Sequence, residues 1–533
     1  MNKTGFLYFF SGTLILYGLL PAFPPVNPDS YSRFPVDAGI PLPEFVENTA
    51  SLKPDDSGDN RELYGKINSS CFFLFDDDFS PENSYSRISL FPTSFKWRTP
   101  SASLPRATAA EAFYYDKKQK KRSASSYTTL LTEQHELPVV SLFAGAEDFF
   151  GFEKGIYVQG ITAVQQPRYK LKIQWWNEPA NYMERGKKWK RKIHWQWMED
   201  KKVKYESDAD VGIHGNATRA YPLKSLKLSA NKRYGKKSFE YSFFGKNKTT
   251  SHHSLLLRNG GNDFDRTLLS DGFIHRACEP LQMHVQGYRP VVVYINGEYW
   301  GIHQLREKHD EHFFSNHYGE KKKNLLIMEN YTLVYGKTTD AFDEMINFFR
   351  TSPVKDSASW NKACDFLDMN NFIDYLCAEL FFANSDWPAN NVKFFRWEEN
   401  GEKNNKWRFV LWDMDYALAY TGTSAVQKDM FQHLRETKSV VSELYIALME
   451  YPAFRQQLKQ RMTELLQLDF SSEQLLSLYQ QCKTEIESET ERHILRWHKP
   501  SSVEKWNEFN MQTEEFIRKR PVVVQEHVSK YLN

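Results

Sequence analysis

Asp386 and Asn391 share the spacing D-x-x-x-x-N in ANSDWPANNVKFFRW, and Asp413 follows in KWRFVLWDMDYAL, beyond the polar turn EENGEKNN. An aspartate just ahead of a hairpin can accept the proton of an attacking hydroxyl. The amide oxygen of Asn391 and the carboxylate of Asp413 are hard donors of the kind that hold Mg²⁺ against nucleotide phosphates. The chemistry these types serve is phosphoryl transfer. D-x-x-x-x-N alone has many chance matches, and the second acid after a hairpin narrows them. Asp413 is the first choice of ligand and Asp415 the second, because the apolar strand WRFVLW delivers Asp413 at its C-terminal end. Plainer roles exist: Asp386 before Trp387-Pro388 as a turn former, Asn390 and Asn391 as turn residues, Asp413 or Asp415 as a helix cap. No G-x-x-x-x-G-K-[ST] loop is present, GGND at 260–263 is not a phosphate fingerprint, and the words HRD and DFG are absent.

These groups need elements to hold them. An amphipathic helix from about Asn371 leads into Asp386. Upstream, LPVVSLFAG, GIYVQG, YKLKIQWW, RKIHWQWMED and VGIHGNATRAYPLKSLKLSA carry strand signals bounded by Gly, Pro or Asn. In YPLKSLKL the alternation sets Lys224 opposite Leu223, and Ser225 and Lys227 interrupt any apolar ladder, so at least one lysine has a pocket to point into. Two lysines on the wet side of an edge strand are the plainer account. Thr267 to Leu281 carries a helical stripe, and RPVVVYINGEYWGIHQLREKHDEHF is a hairpin turning at Asn296-Gly297. From about Asp340 the pattern is helical, as in VSELYIALME, FRQQLKQRMTELLQL and SSEQLLSLYQQCKTEIESETERHIL. Strands, one helix, a hairpin and then helices predict an α+β fold with a β-rich lobe before a mainly helical one.

The chain has 533 residues, 69 Lys+Arg against 67 Asp+Glu, 41% hydrophobic and 15% aromatic residues. That balance excludes a polytopic membrane protein, a disordered polyanion and a fibre. A net charge of +2 gives no ground for a nucleic-acid partner. Cys71, Cys278, Cys364, Cys377 and Cys482 are too widely spaced for a disulfide framework or metal cluster, and Cys377 in FIDYLCAELFF reads as a small buried hydrophobe. Gly5 to Phe23, uncharged and apolar after Lys3, fits a signal peptide and a membrane anchor alike, which places the working part of the protein outside the cytoplasm. Residues 24–62 read as a flexible linker and 63–132 as a small β-rich accessory region. The run KKQKKR at 117–122 reads as a solvated loop, and Arg518, Lys519 and Arg520 as a helix-end charge cluster.

In order along the chain, LPVVSL, GIYV, NYMERGKKWKRKIHWQWME, VGIHGNATRAYPLKSLKLSANKRYG, LRNGGNDFDRTLLSDGF, VVVYINGEYWGIHQLREKHDEHF, NSDWPANNVKFF, KWRFVLWDMDYAL and RKRPVVVQEHV resemble the CotH kinase family, atypical secreted protein kinases named after a spore coat protein. The likeness covers about residues 137 to 533. It implies a bilobal protein-kinase-like domain, N-lobe about 137–310 and C-lobe about 311–533, that transfers the γ-phosphate of ATP to Ser or Thr hydroxyls of a secreted, surface or coat protein with Mg²⁺ or Mn²⁺. Asp386 matches the family's catalytic aspartate, and Asn391 and Asp413 match its metal positions. Lys224 in YPLKS resembles the small-lobe lysine expected on nucleotide phosphates, and Asp271 in LLSDGF is the expected helix-borne acidic partner. Glu307 in LREKHD matches a recurring acid beside the hinge, for nucleotide contact or lobe packing. The chain departs from the family at Leu223, a position often polar, and at Met414. Two other classes fit part of the pattern. A non-catalytic surface or coat scaffold would keep the fold and the aromatic load without binding nucleotide. A metal-dependent phosphoesterase would gather Asp386, Asp413 and Asp415 around a metal but leaves Lys224 and the order of elements without a role.

Overall fold

The computed structural model describes residues 61–67, 72–74, 103–116, 118–165, 174–245, 249–398 and 405–533, with the backbone alone at 61–67 and 72–74. The signal or anchor segment and nearly all of the linker lie outside them. Among the described residues no helix is long and apolar enough to cross a membrane.

Five strands come first: β1 (Arg61–Ile67), β2 (Phe72–Leu74), β3 (Ala107–Asp116), β4 (Lys121–Arg122) and β5 (Ser126–Leu131). Their order is β2-β1-β3-β4, with β5 also on β3. This sheet leans on strands further down the chain. The Ala107 N–H donates to the Gly297 carbonyl at 2.9 Å, and Thr129 Oγ1 donates to Gln196 Oε1 at 2.8 Å. Part of the basic run is therefore strand rather than loop, with Arg122 lying over the Phe113 ring at 4.9 Å.

Of the strand signals from residue 139 onward, YKLKIQWW lies outside the described residues apart from its last three, which run into the short turn Trp175–Asn177, and most of the rest close into a barrel. Its members are β6 (Val139–Ala144), β7 (Arg191–Glu199), β8 (Lys202–His214) and β9 (Ser225–Ser229); then, after a small ribbon of β10 (Phe239–Glu240) and β11 (Ser251–His252), β12 (Ser254–Arg258), β13 (Tyr288–Ile295) and β14 (Glu298–Glu307). The order is β12-β14-β13-β6-β7-β8-β9, which leaves no unpaired edge. Alternate residues point inward, so that Leu226, Leu228, Leu255, Leu257, Val291, Val293, Trp195 and Trp197 share one buried core. At the β13–β14 turn Asn296 and Gly297 take φ of 50° and 82°, the left-handed pair that suits the strand twist. GIYVQG, read as a strand, is irregular and leads into the helix Gly160–Gln165. Its backbone pairs outside any ladder: the Ile156 and Tyr157 N–H donate to the Asp148 and Phe149 carbonyls at 3.0 and 2.8 Å, the Gln159 and Val158 carbonyls accept from the Asn181 and Tyr182 N–H at 2.8 and 3.3 Å, and Asn181 Nδ2 donates to the Gly155 carbonyl at 3.2 Å.

The rest of the chain wraps helices around a second antiparallel sheet of β15 (Leu325–Glu329), β16 (Thr332–Tyr335), β17 (Lys393–Trp397) and β18 (Arg408–Val410), in the order β16-β15-β17-β18. Met369–Phe382 is the central helix, buried on nearly every side. Two long helices, Ser472–Trp497 and Val503–Tyr531, close the described chain. The first lies along the barrel, where Trp497 Nε1 donates to the Trp300 carbonyl at 2.9 Å and the Ile302 N–H donates to His493 Nδ1 at 3.0 Å. The fold is mixed α+β. Cys278, Cys364, Cys377 and Cys482 are free thiols, and Cys377 is fully buried.

Candidate active site

Two neighbouring loops carry the acids. The first leaves the helix Met369–Phe382 at Ala383 (φ 55°) and reaches β17 through Asn391 (φ 61°); the second follows β18 and holds Asp413 (φ 60°) and Leu418 (φ 57°). Non-glycine residues in this region cost about 1–3 kcal/mol each and persist only where the surroundings over-determine them. Here the surroundings do. The Leu418 N–H donates to the Phe382 carbonyl at 2.7 Å, and Ser385 Oγ donates to the Tyr416 carbonyl at 3.0 Å. Asn384 Nδ2 donates to Met414 Sδ at 3.4 Å and Asn391 Nδ2 to the Asp413 carbonyl at 3.0 Å. Asp386, Asn391 and Asp413 therefore sit on two laced loops. Asp386 is half-buried, with Oδ1 accepting from Asn390 Nδ2 at 3.2 Å. Neither Asp413 nor Asp415 caps a helix, because the chain stays irregular from Leu411 to Gly422.

The facing wall comes from the barrel. Arg258, the last residue of β12, donates through Nη2 to Asp413 Oδ1 at 2.5 Å and to Asp415 Oδ2 at 2.8 Å, and its Nε lies 3.8 Å from Asp271 Oδ2. Arg306 of β14 brings Nη1 to 3.1 Å from Asp271 Oδ2, and the Met414 N–H donates to Asp271 Oδ1 at 2.8 Å. Burial would raise the pKa of Asp271, but Arg306 and Arg258 outweigh it and hold the carboxyl well below the usual range. The helix bearing Asp271, Ser270–Ala277, is set by buried Asp263, which accepts from Thr267 Oγ1, the Leu269 N–H and the Ser270 N–H at 2.6, 2.9 and 3.0 Å.

Asp415 is fully engaged, taking the Asn262 N–H at 2.8 Å and Asn262 Nδ2 at 3.2 Å besides Arg258. The turn Asn259–Asn262 comes this close because Gly261 (φ 64°) has no Cβ, which would overlap the Asp415 carboxylate and the Arg258 guanidinium. Of the two acids in WDMD, Asp413 is the accessible one: its side chain is 29% exposed against 2% for Asp415.

Lys224 is not joined to Asp271, whose ion pairs are with Arg258 and Arg306. It points toward the mouth of the barrel, where Nζ donates to the Arg219 and Tyr221 carbonyls at 2.6 and 2.9 Å and lies 3.7 Å from the centre of the Tyr182 ring. Lys227, of opposite parity on the strand, turns outward, and burial together with Lys308 lowers its pKa to about 8. Lys308, Lys227, Arg258 and Lys393 all bear on His214, whose pKa burial and these four cations push well below the ordinary imidazole value. Lys393 pairs with Glu329 at 2.9 Å; among the described residues neither Lys227 nor Lys308 has a carboxylate at ion-pair distance. Glu307 Oε2 accepts from the Gly287 N–H at 2.9 Å, with Oε1 3.6 Å from His252 Nδ1, so this acid ties together the end of β14 and its neighbours.

Sequence reasoning missed Arg258, Arg306, Gly261 and the outward role of Lys227; only the parity of Lys227 in SLKL offered a signal. Among the described residues no group of three or more His, Cys, Asp or Glu could hold a metal ion. Asn391 and Asp413 nonetheless fit Mg²⁺ or Mn²⁺, hard cations that complete their shells with water and phosphate oxygens. A family model described as CotH kinase protein matches residues 211–524, a span that contains every residue of this site, and the chain belongs to that family. No curated protein matches it.

Proposed function

We propose that the protein is an atypical protein kinase that transfers the γ-phosphate of ATP to a Ser or Thr hydroxyl of a protein, with the barrel (about 137–310) and the following part (about 311–533) as the two lobes of a kinase-like fold. The observation that carries this reading is the lacing of the two loops that bear Asp386, Asn391 and Asp413, with Asp413 accessible and Arg258 of the barrel against it. Lys227 and Lys308, which have no carboxylate at ion-pair distance among the described residues, and the accessible Asp413 suit a polyphosphate that brings its own metal. Lys227 and Lys308 hold the phosphates by charge. Asp386 accepts the proton of the acceptor hydroxyl as it attacks. Asn391 and Asp413 would hold Mg²⁺ or Mn²⁺, whose chemistry would be to neutralise phosphate charge. Lys224 acts at a distance, bracing the turn that ends at Tyr221. A phosphoesterase would need Asp415 as a ligand, and Asp415, unlike Asp413, is buried and held by the N–H and Nδ2 of Asn262. Export rests on the apolar stretch Gly5 to Phe23, which makes a secreted or surface protein the acceptor.

The test incubates the full chain with γ-labelled ATP and Mn²⁺ or Mg²⁺, beside Asp386→Ala and Asp413→Ala, each checked for folding by circular dichroism. Metal-dependent label on itself or on an added acceptor protein, reduced about 100-fold or more in both variants, is the expected result. No label together with no calorimetric ATP binding would leave the scaffold reading in its place.

A further inference from the structure

We infer that Arg258 is a built-in competitor of the metal at Asp413, a guanidinium that neutralises the acid until a cation arriving with nucleotide takes over that carboxylate. The inference rests on the kinase reading only for the identity of the nucleotide. Its basis is the bridge itself: one nitrogen, Nη2, donates to Asp413 Oδ1 at 2.5 Å and to Asp415 Oδ2 at 2.8 Å. A guanidinium so placed and a metal ion draw on the same carboxylate lone pairs. Binding of one weakens binding of the other.

The surroundings allow Arg258 to give up Asp413 without being stranded. Asp415 and Asp271 remain as partners on the same side, and Arg306 independently balances Asp271 at 3.1 Å. Arg258, Lys227, Lys308 and Lys393 all act through their charge on His214, so a polyphosphate drawn to that positive field is drawn to the released guanidinium as well. Metal and nucleotide are thereby coupled: each removes an obstacle to the other. Asp415, buried and held by Asn262, acts as a positioning residue that keeps the guanidinium near while Asp413 changes partner.

Binding of Mn²⁺, followed by the electron paramagnetic resonance of the free ion, tests this on the full chain with and without a non-hydrolysable ATP analogue. Without nucleotide, Arg258→Gln is expected to bind Mn²⁺ about tenfold or more tightly than the wild type, the gain from removing one charge-assisted hydrogen bond that the metal must otherwise break. With nucleotide, the wild type is expected to gain more affinity than the variant does. A folded Arg258→Gln protein whose Mn²⁺ affinity equals or falls below the wild-type value overturns the inference. If that variant does not fold, Arg258→Lys decides it: lysine lacks the reach to bridge both acids, so a gain over wild type is expected and no gain overturns it. A wild type whose Mn²⁺ affinity ignores the nucleotide would defeat the kinase reading instead, and the nucleotide-free comparison would still judge Arg258.

Discussion

Lys224 and Lys227 lie three residues apart, and an odd separation along an extended chain sends them to opposite sides. One is consumed by carbonyls and a tyrosine ring at the barrel mouth; the other keeps its charge for something outside the barrel. Burial and Lys308 bring the Lys227 pKa down to about 8, so its charge is present below that value and disappears as the pH rises through it. An anion that depends on this ammonium binds with level affinity up to about pH 7 and about tenfold more weakly by pH 9, where only about a tenth of the lysine stays charged. Calorimetric titration with ATP should follow that profile. In Lys227→Met the affinity should be lower throughout and the fall above pH 8 absent; a variant that keeps the fall would show that another group titrates.

The loop bearing Asp386 is only as well placed as the helix it leaves. The last carbonyls of a helix lack intrahelical partners, and at the end of Met369–Phe382 they are met by Arg520, fully buried, whose guanidinium donates to Leu380 and Phe381 at 2.8 and 2.9 Å and to Val426 and Lys428 at 2.7 and 2.8 Å. A cation there also complements the helix dipole. RKR is thus not a helix-end cluster: it lies inside Val503–Tyr531, with Arg518 and Lys519 outside and Arg520 turned in. Arg520→Leu should cost about 3 kcal/mol, since it leaves several buried carbonyls unpaired. Urea denaturation would measure this, and a loss under about 1 kcal/mol would contradict the capping role. What the sequence made legible divides in the same way between near and far. Alternation and turn residues are local, so β6, β7 and the β13–β14 hairpin lie where the pattern puts them, and Asp386, Asn391 and Asp413 come together because one hairpin joins their loops. Arg258, Asp271 and Arg306 meet from β12, a helix and β14, and no local pattern shows which charge will face which across that distance. GIYVQG failed for the opposite reason, a local strand signal overruled by backbone bonds to Asp148, Phe149, Asn181 and Tyr182.

At the scale of the whole molecule the barrel keeps a core of its own, but its outer face packs into the cluster that the helices share. Leu269, Phe273, Val292 and Tyr294 belong to the same apolar cluster as Phe372, Leu444 and Phe516, and Trp497 from the long helix enters the barrel's own core. Buried His135 adds a polar tie, with Nδ1 2.5 Å from Glu489 and Nε2 2.9 Å from the Tyr294 hydroxyl. Elements that share a core unfold together. Near-ultraviolet and far-ultraviolet circular dichroism should therefore trace one coincident thermal transition for the region from 103 to 533, and two separated transitions would show independent units.

Arg520 has one more implication, and it concerns time. Every residue of the site precedes the helix that carries this arginine, so a ribosome that has made residue 500 has already made all the chemistry and none of the brace. A chain still being synthesised carries its aspartates on a loop whose helix end has not yet been met by Arg520, and the brace comes only with Val503–Tyr531, the last helix to emerge.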